Sequence, residues 1–382
     1  MAGHFVFALW CTRPMTVNDI QTMIEQWAPK EIAWEKDNIG LQVGNADATV
    51  RGVFVCLDVT EDVIREAAVR NADLIISHHP LLFRPLRSVL TQDPAGKCLE
   101  LLLRSKINLY AAHTNLDFAQ GGTSFALAES LGLTQVDFLL KNFRLSRKIV
   151  TYVPTEAAEK VARAMGDAGA GRIGNYEMCS FRTRGTGTFR GNERSSPAVG
   201  KKGRLEEMDE IRLEMVADSP NVPSVVRAMI DAHPYEEVAY DVYPLENATP
   251  GYGMGVIGEL SRPMPSGLFI HHVMRRLNAR AIRTTRNAPR RIARVAVCGG
   301  SGSELMGEAI RRGAQAFVTA DVRYHSFHES NERILLLDAG HYETEWPIVR
   351  ALVRRLKREC VKKRIQLAVY AAHTSSNPIV YN

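Results

Sequence analysis

Short, wholly apolar runs alternate with amphipathic stretches along the first 145 residues, the pattern of buried strands wrapped by helices. Residues 16–27 (TVNDIQTMIEQW) carry apolar side chains at helical spacing behind Thr16, a residue suited to an N-cap, and Pro29 ends the helix. A buried strand is expected at 53–57 (VFVCL). The segment Asp58-Val-Thr-Glu-Asp62 then caps a helix over 63–70. A second strand, 74–76, runs straight into Ser77-His78-His79-Pro80. A helix at 98–105 precedes a strand at 107–112, which ends in His113-Thr-Asn-Leu-Asp117.

From residue 148 the rhythm changes. The order is strand (148–154), helix (155–170), strand (176–183), a glycine-rich break at 185–203, strand (210–217), helix (224–234) and strand (239–245). That β-α-β-β-α-β order is a split βαβ sandwich, and it predicts a self-contained α+β module inserted at 146–255. The α/β pattern then resumes with strands at 295–300, 316–321, 334–339 and 366–372, a helix at 303–314 and another from 343. The expected fold class is therefore α/β. Two halves, 15–145 and 256–382, build one metal-binding domain around the inserted module, with 1–14 as a ragged extension and Met15 as an alternative start. Tyr110-Ala-Ala-His-Thr114 recurs as Tyr370-Ala-Ala-His-Thr374, either by chance or as a duplicated half in which Asn377 replaces Asp117.

Composition narrows the class. With 45% hydrophobic and 24% charged residues over 382 positions, and mean hydropathy −0.15, the chain can bury large cores. No apolar run reaches 18 residues, so no membrane span is expected. Six cysteines without Cys-x-x-Cys spacing argue against a zinc ribbon, a redox pair or a disulfide framework, and for a reducing, cytoplasmic setting. The net charge is +6, with arginine concentrated at 275–294 and 354–364. Such clusters suit nucleic acid, nucleotides or merely a solvated helix face.

The chemistry gathers at strand ends, where α/β sheets bind ligands. His78 and His79 follow one strand and Asp117 follows another. His341 and Glu345, spaced i, i+4, share a helix face after a third. Three histidines, an aspartate and a glutamate make a donor set without thiolate, fitting zinc first, then manganese or iron. Five ligands exceed a four-coordinate structural site, so two divalent ions bridged by a carboxylate are expected, acidifying water for hydrolysis. His113 and His325 are the expected proton-transfer groups, with Asp321 supporting from behind. Gly299, Gly300 and Gly302 form a weak phosphate-binding turn. His271-His272 is read as surface. Rival readings are a non-catalytic metal-handling assembly and nucleic-acid binding through the arginines.

Together these pieces resemble the dinuclear metal-centre proteins named as GTP cyclohydrolase 1 type 2 homologues, the NGG-interacting-factor-like family. The resemblance rests on Asp37-Asn-Ile-Gly-Leu-Gln-Val-Gly44, Ser77-His-His-Pro-Leu-Leu-Phe83, Ala111-Ala-His-Thr-Asn-Leu-Asp117, Gly185-Thr-Gly-Thr-Phe189, His233-Pro-Tyr-Glu-Glu237 and Asp338-Ala-Gly-His-Tyr-Glu-Thr-Glu345. It implies metals on His78, His79, Asp117, His341 and Glu345, a toroidal homohexamer, and an inserted domain similar to the CutA and PII ferredoxin-like folds. It further implies hydrolysis of GTP or a related molecule. Lys36, Ala320, Arg323 and the stretch Gly121-Gly-Thr-Ser-Phe125 depart from the family pattern without removing a metal ligand.

Overall fold

A computed structural model of the chain describes residues 14–141, 143–196 and 198–381. The extension expected at 1–14 lies, up to residue 13, outside the described residues. The chain divides into two units: residues up to Lys141 together with those from Gly251 onward, and the intervening stretch to Pro250. The coarse expectation, a mixed α/β chain with several sheets, holds. Among the described residues no helix is long and apolar enough to cross a membrane, and the five described cysteines are free thiols.

The first unit contains two sheets. One has five strands in the order Gly40–Val43, Asn108–Ala111, Leu74–Ser77, Gly52–Cys56, Ala368–Ala371. The last four run parallel, and Gly40–Val43 is an antiparallel edge. Their register pairs Cys56 with Ser77 and Ser77 with Ala111. The carboxyl ends are therefore level, and Asp58, His78, His79 and His113 leave the sheet along one edge. Helices Glu61–Val69 and Pro94–Arg104 cover a face through Ile64, Ala67, Cys98 and Leu102.

The other sheet runs Arg283–Thr284, Leu335–Asp338, Ala316–Ala320, Arg291–Ser301, Met254–Pro265, Leu133–Leu140, with its second to fourth strands parallel. Its apolar runs are continuous because both faces are covered. Val295, Val297, Val318, Leu335 and Leu337 pack on one side with Phe269 and Leu127. Their alternates Ala296, Phe317 and Leu336 pack on the other with Leu305 and Met306. Asp338 pairs with Thr319 and Ser301 with Ala320, so this sheet also ends its parallel strands level.

The second unit is a four-stranded antiparallel sheet, in the order Phe181–Phe189, Glu206–Asp218, Ser146–Pro154, Tyr240–Pro244. Helices Ala158–Asp167 and Val222–Ala232 pack through Val161, Met165, Val225 and Met229 against Ile149, Val153 and Leu213. One expectation is corrected here. Residues 185–189 are not part of a loop but continue a strand, paired with Glu206–Glu210. Glycine is tolerated there for space: a Cβ on Gly187 would come within 2.0 Å of Glu210 Oε2.

Candidate metal centre

Two sheets that end their parallel strands level bring their loops together, and the histidines and carboxylates of those loops meet. The amides of His78 and His79 still extend the ladder, donating to the carbonyls of Cys56 (3.1 Å) and Leu57 (2.9 Å). Alternation along a strand would send the two rings apart, yet the ring centres lie 5.0 Å from each other. His113 sits 5.4 Å from both rings, and His341 5.3 Å from His79. Two overlapping triads result, His78-His79-His113 and His79-His341-Glu345, each with its donor atoms within 4.8 Å of one another.

Every one of these four rings is fixed from behind. The Nδ1 of His78 donates to the Ala112 carbonyl (2.9 Å), that of His79 to Asp58 (2.7 Å), that of His113 to Asp37 (2.9 Å) and that of His341 to Asp321 (2.6 Å). A carbonyl or carboxylate oxygen can only accept, so the proton sits on Nδ1 and Nε2 faces inward. Inside stand two carboxylates. Glu345, 3% exposed, brings Oε2 to 2.9 Å from His79 Nε2 and 3.1 Å from His341 Nε2, and Oε1 to 3.8 Å from His78 Nε2. Asp117 Oδ1 lies 3.5 Å from His78 Nε2. His78 Nε2, Asp117 Oδ1 and Glu345 Oε2 are buried, yet none makes a hydrogen bond of proper geometry. Orphaned lone pairs facing one another are what a cation would satisfy.

Electrostatics agree. Burial disfavours the Glu345 charge, but the His341, His78 and His79 rings that face it outweigh burial and hold the carboxyl well below its usual range. Burial also opposes charge on His79 and His341. Asp58 and Glu345 nonetheless push His79 up to about 10, and Glu345 and Asp321 push His341 up to about 9. A cation between them would replace their Nε2 protons. Burial, then the Asp117 carboxylate, raises the Cys298 thiol, so in the metal-free protein it stays protonated.

Two supporting carboxylates carry roles the sequence does not reveal. Within the segment expected to cap a helix, Thr60 makes the cap, while Asp58 holds His79 and accepts the Ser376 hydroxyl (2.6 Å). Asp37 accepts from His113, from the Thr114 amide (3.1 Å) and from the Thr114 hydroxyl (2.5 Å). Burial opposes its charge, and the His113 and Thr114 hydrogen bonds lower it to about 2. The strand-end rule that singled out His78 points equally to Asp58, which follows the strand Gly52–Cys56 by two residues. Asp58→Asn is expected to weaken metal affinity about 10–100-fold while leaving the fold intact, as loss of a histidine's carboxylate partner generally does. Competition with a chromophoric chelator reads it directly.

Asp321, expected only as a supporting group, accepts from His341 Nδ1 and lies on backbone with φ +53°. His325 lies exposed on the helix Tyr324–Ser330, its ring against Tyr324 at 5.6 Å. It makes no hydrogen bond to the cluster among the described residues. The phosphate role of the glycine turn needs correction. The Gly299 and Gly300 amides already donate to Ser124 Oγ (3.3 Å) and Thr344 Oγ1 (3.0 Å), and a Cβ on Gly302 would meet Cys298 Sγ at 2.4 Å. The turn makes room instead, since a Cβ on Gly300 would lie 2.2 Å from Glu345 Oε1. His271 is exposed, whereas His272 is partly buried and bonds the Leu131 carbonyl through Nε2 (2.9 Å).

The chain as a whole has relatives. The chain is 39% identical over 361 residues to a Bacillus subtilis protein named GTP cyclohydrolase 1 type 2 homolog, covering 94% of this chain and 96% of that one. A Mycobacterium tuberculosis protein of the same name is 38% identical over 336 residues, covering 86% and 88%. Among solved structures, a Bacillus cereus protein related to NIF3 superposes with TM-score 0.83 at 37% identity, covering 97% of this chain and all of that one. The Staphylococcus aureus protein SA1388 gives 0.78 at 28%, covering 97% and 99%. Residues 15–378 match the model of one family, and on that evidence the chain belongs to Duf34/NIF3, the NGG1p interacting factor 3 family.

Proposed function

We propose that the chain is a metal-dependent hydrolase, holding two divalent ions, zinc foremost, with manganese or iron as substitutes. It acts in the cytoplasm on GTP or another small phosphorylated molecule. One observation carries this reading: four imidazoles, each pinned through Nδ1, gather around Glu345 and Asp117, whose Oε2 and Oδ1 are buried without a hydrogen bond of proper geometry. His78, His79, His341, Asp117 and Glu345 hold the ions. Ions so bound would supply a Lewis acid for the electrophile and a source of acidified water.

The chain's own groups do the rest. Asp37, ionised down to about pH 2, keeps the His113 proton on Nδ1 and leaves Nε2 free to take and return a proton. His325, four residues beyond Asp321 and exposed on its helix, is the second group proposed to carry protons. The relatives' names point to a guanine nucleotide as substrate. A toroidal homohexamer, and an inserted unit of the CutA and PII ferredoxin-like kind, complete the proposal. The β-α-β-β-α-β order of that unit supports it.

Metal analysis of the purified chain is expected to return two ions per 42.5 kDa chain. The loaded protein should turn over GTP or a member of a phosphoester panel, and His113→Gln should lower the rate at least about 100-fold, as for loss of a general base. Light scattering should give six chains per particle. Two bound ions without turnover of any substrate would replace this reading with a non-catalytic metal-handling assembly, and failure to bind metal would end both.

A further inference from the structure

On the far side of the helix His341–Glu345 from the metal centre lies a separate cavity of about 720 Å³ within the first unit. The helix serves both. His341 and Glu345 face the centre, whereas Tyr342 and Glu343, with Trp346 just beyond, line the cavity. The two arginine concentrations, some eighty residues apart in the chain, meet in its wall. Arg276 and Arg280 come from one, Arg354 from the other, and Arg350 from the turn before it.

The charge in that wall is not balanced. Arg354 pairs with Glu129 (2.5 Å). Arg276 donates through Nε to the Ser130 carbonyl, which neutralises nothing. No carboxylate pairs with Arg276, Arg280 or Arg350 among the described residues. Glu343 also lines the cavity, with its Oε2 buried and without a hydrogen bond, so two carboxylates face four guanidinium groups. Glu343 Oε1 accepts from Asn377 Nδ2 (3.1 Å), and its Oε2 fills the space where a Gly340 Cβ would come within 2.2 Å. Beside the three unpaired guanidinium groups, Tyr342 and Trp346 stack with ring centres 5.2 Å apart and planes inclined by 23°. Guanidinium forks match phosphate oxygens, and a stacked aromatic pair offers a flat apolar wall to a planar ring. The volume falls within the usual range for a small-molecule site.

We propose that this cavity is a second ligand site, distinct from the metal centre, for a phosphorylated molecule bearing a planar ring, that is, a nucleotide. Its phosphates sit against Arg276, Arg280 and Arg350, and its base lies by Trp346. Neither the ions nor any catalytic group contributes, so the proposal stands or falls apart from the hydrolase reading.

Calorimetric titration of the whole chain tests it, with ATP, GTP and inorganic pyrophosphate as probes, before and after metal removal by a chelator. Nucleotide is expected to bind the metal-stripped protein and the His79→Ala variant alike, and more tightly than pyrophosphate. The double variant Arg280→Ser, Arg350→Ser, both positions being exposed, is expected to weaken it at least about tenfold, the least that losing charge-assisted hydrogen bonds costs. The proposal is overturned if nucleotide binds only the metal-loaded protein, or if the double variant binds as the parent does. Displacement by duplex DNA with steep salt dependence would also overturn it, assigning the arginines to nucleic acid.

Discussion

Glu345→Ala is expected to abolish metal uptake, a larger effect than any other single substitution in the centre. Its carboxylate lies within 3.8 Å of Nε2 on three histidines that come from two different sheets, so no other side chain can take its place. The metal-free protein should suffer too. His79 and His341, raised to about 10 and about 9, carry Nε2 protons against this carboxylate near neutral pH. Removing one partner of a buried ion pair generally costs about 3–5 kcal/mol.

The sign of the pH dependence follows. A histidine raised in the folded state contributes stability that is complete below its unfolded value, about 6.5, and is lost as pH rises through the folded value. Thermal unfolding of the metal-free parent should therefore show stability falling between pH 6.5 and about 10. Glu345→Ala should show a shallower fall, kept up only by Asp58 and Asp321. Metal binding to the parent should tighten over the same range, because each ion displaces protons. A variant that still binds two ions per chain would refute this account of the site.

Gly300→Ala is expected to empty the centre through geometry rather than chemistry. The residue has φ +62°, where a side chain costs about 1–2 kcal/mol. Its new Cβ would stand 2.2 Å from Glu345 Oε1 and 3.2 Å from His341 Cε1. Glu345 is buried and cannot swing to solvent, so its carboxylate must shift out of reach of the His79 and His341 Nε2 atoms. Metal affinity should fall at least about tenfold with the fold retained. Gly307→Ala is the control. It lies in the helix Met306–Arg311 with open space at its Cβ, and should stabilise by up to about 1 kcal/mol without touching metal affinity. Equal metal affinity in both variants would show that the turn at Gly300 has no part in placing Glu345.

The fold was legible where burial leaves a period. The runs VFVCL, VAVC and ILLLD are buried on both faces of their sheets, and their continuous apolarity marks them as strands without any neighbour in view. The strand Met254–Pro265, with glycine and proline inside it, carries no such mark, and neither does the glycine-containing half of Phe181–Phe189, a strand whose residues are mostly exposed. Both are strands because a partner ladder takes up their backbone hydrogen bonds.

Much of the site was legible for a related reason. His78, His79, Asp117, His341 and Glu345 stand out because polar residues with lone pairs directly follow apolar strands, and a strand end is where a side chain can reach a ligand. What the sequence by itself determines is that inventory of donors and the strand ends that present them. Only the tertiary structure decides that two sheets end their parallel strands at one place, which brings the His79 and His341 ring centres to 5.3 Å from each other. It also decides which carboxylates stand behind the rings: Asp37 and Asp58 find their histidines across 76 and 21 residues. Chain spacing encodes contacts within a helix or along a strand. Contacts between sheets depend on register and packing, which no local pattern records.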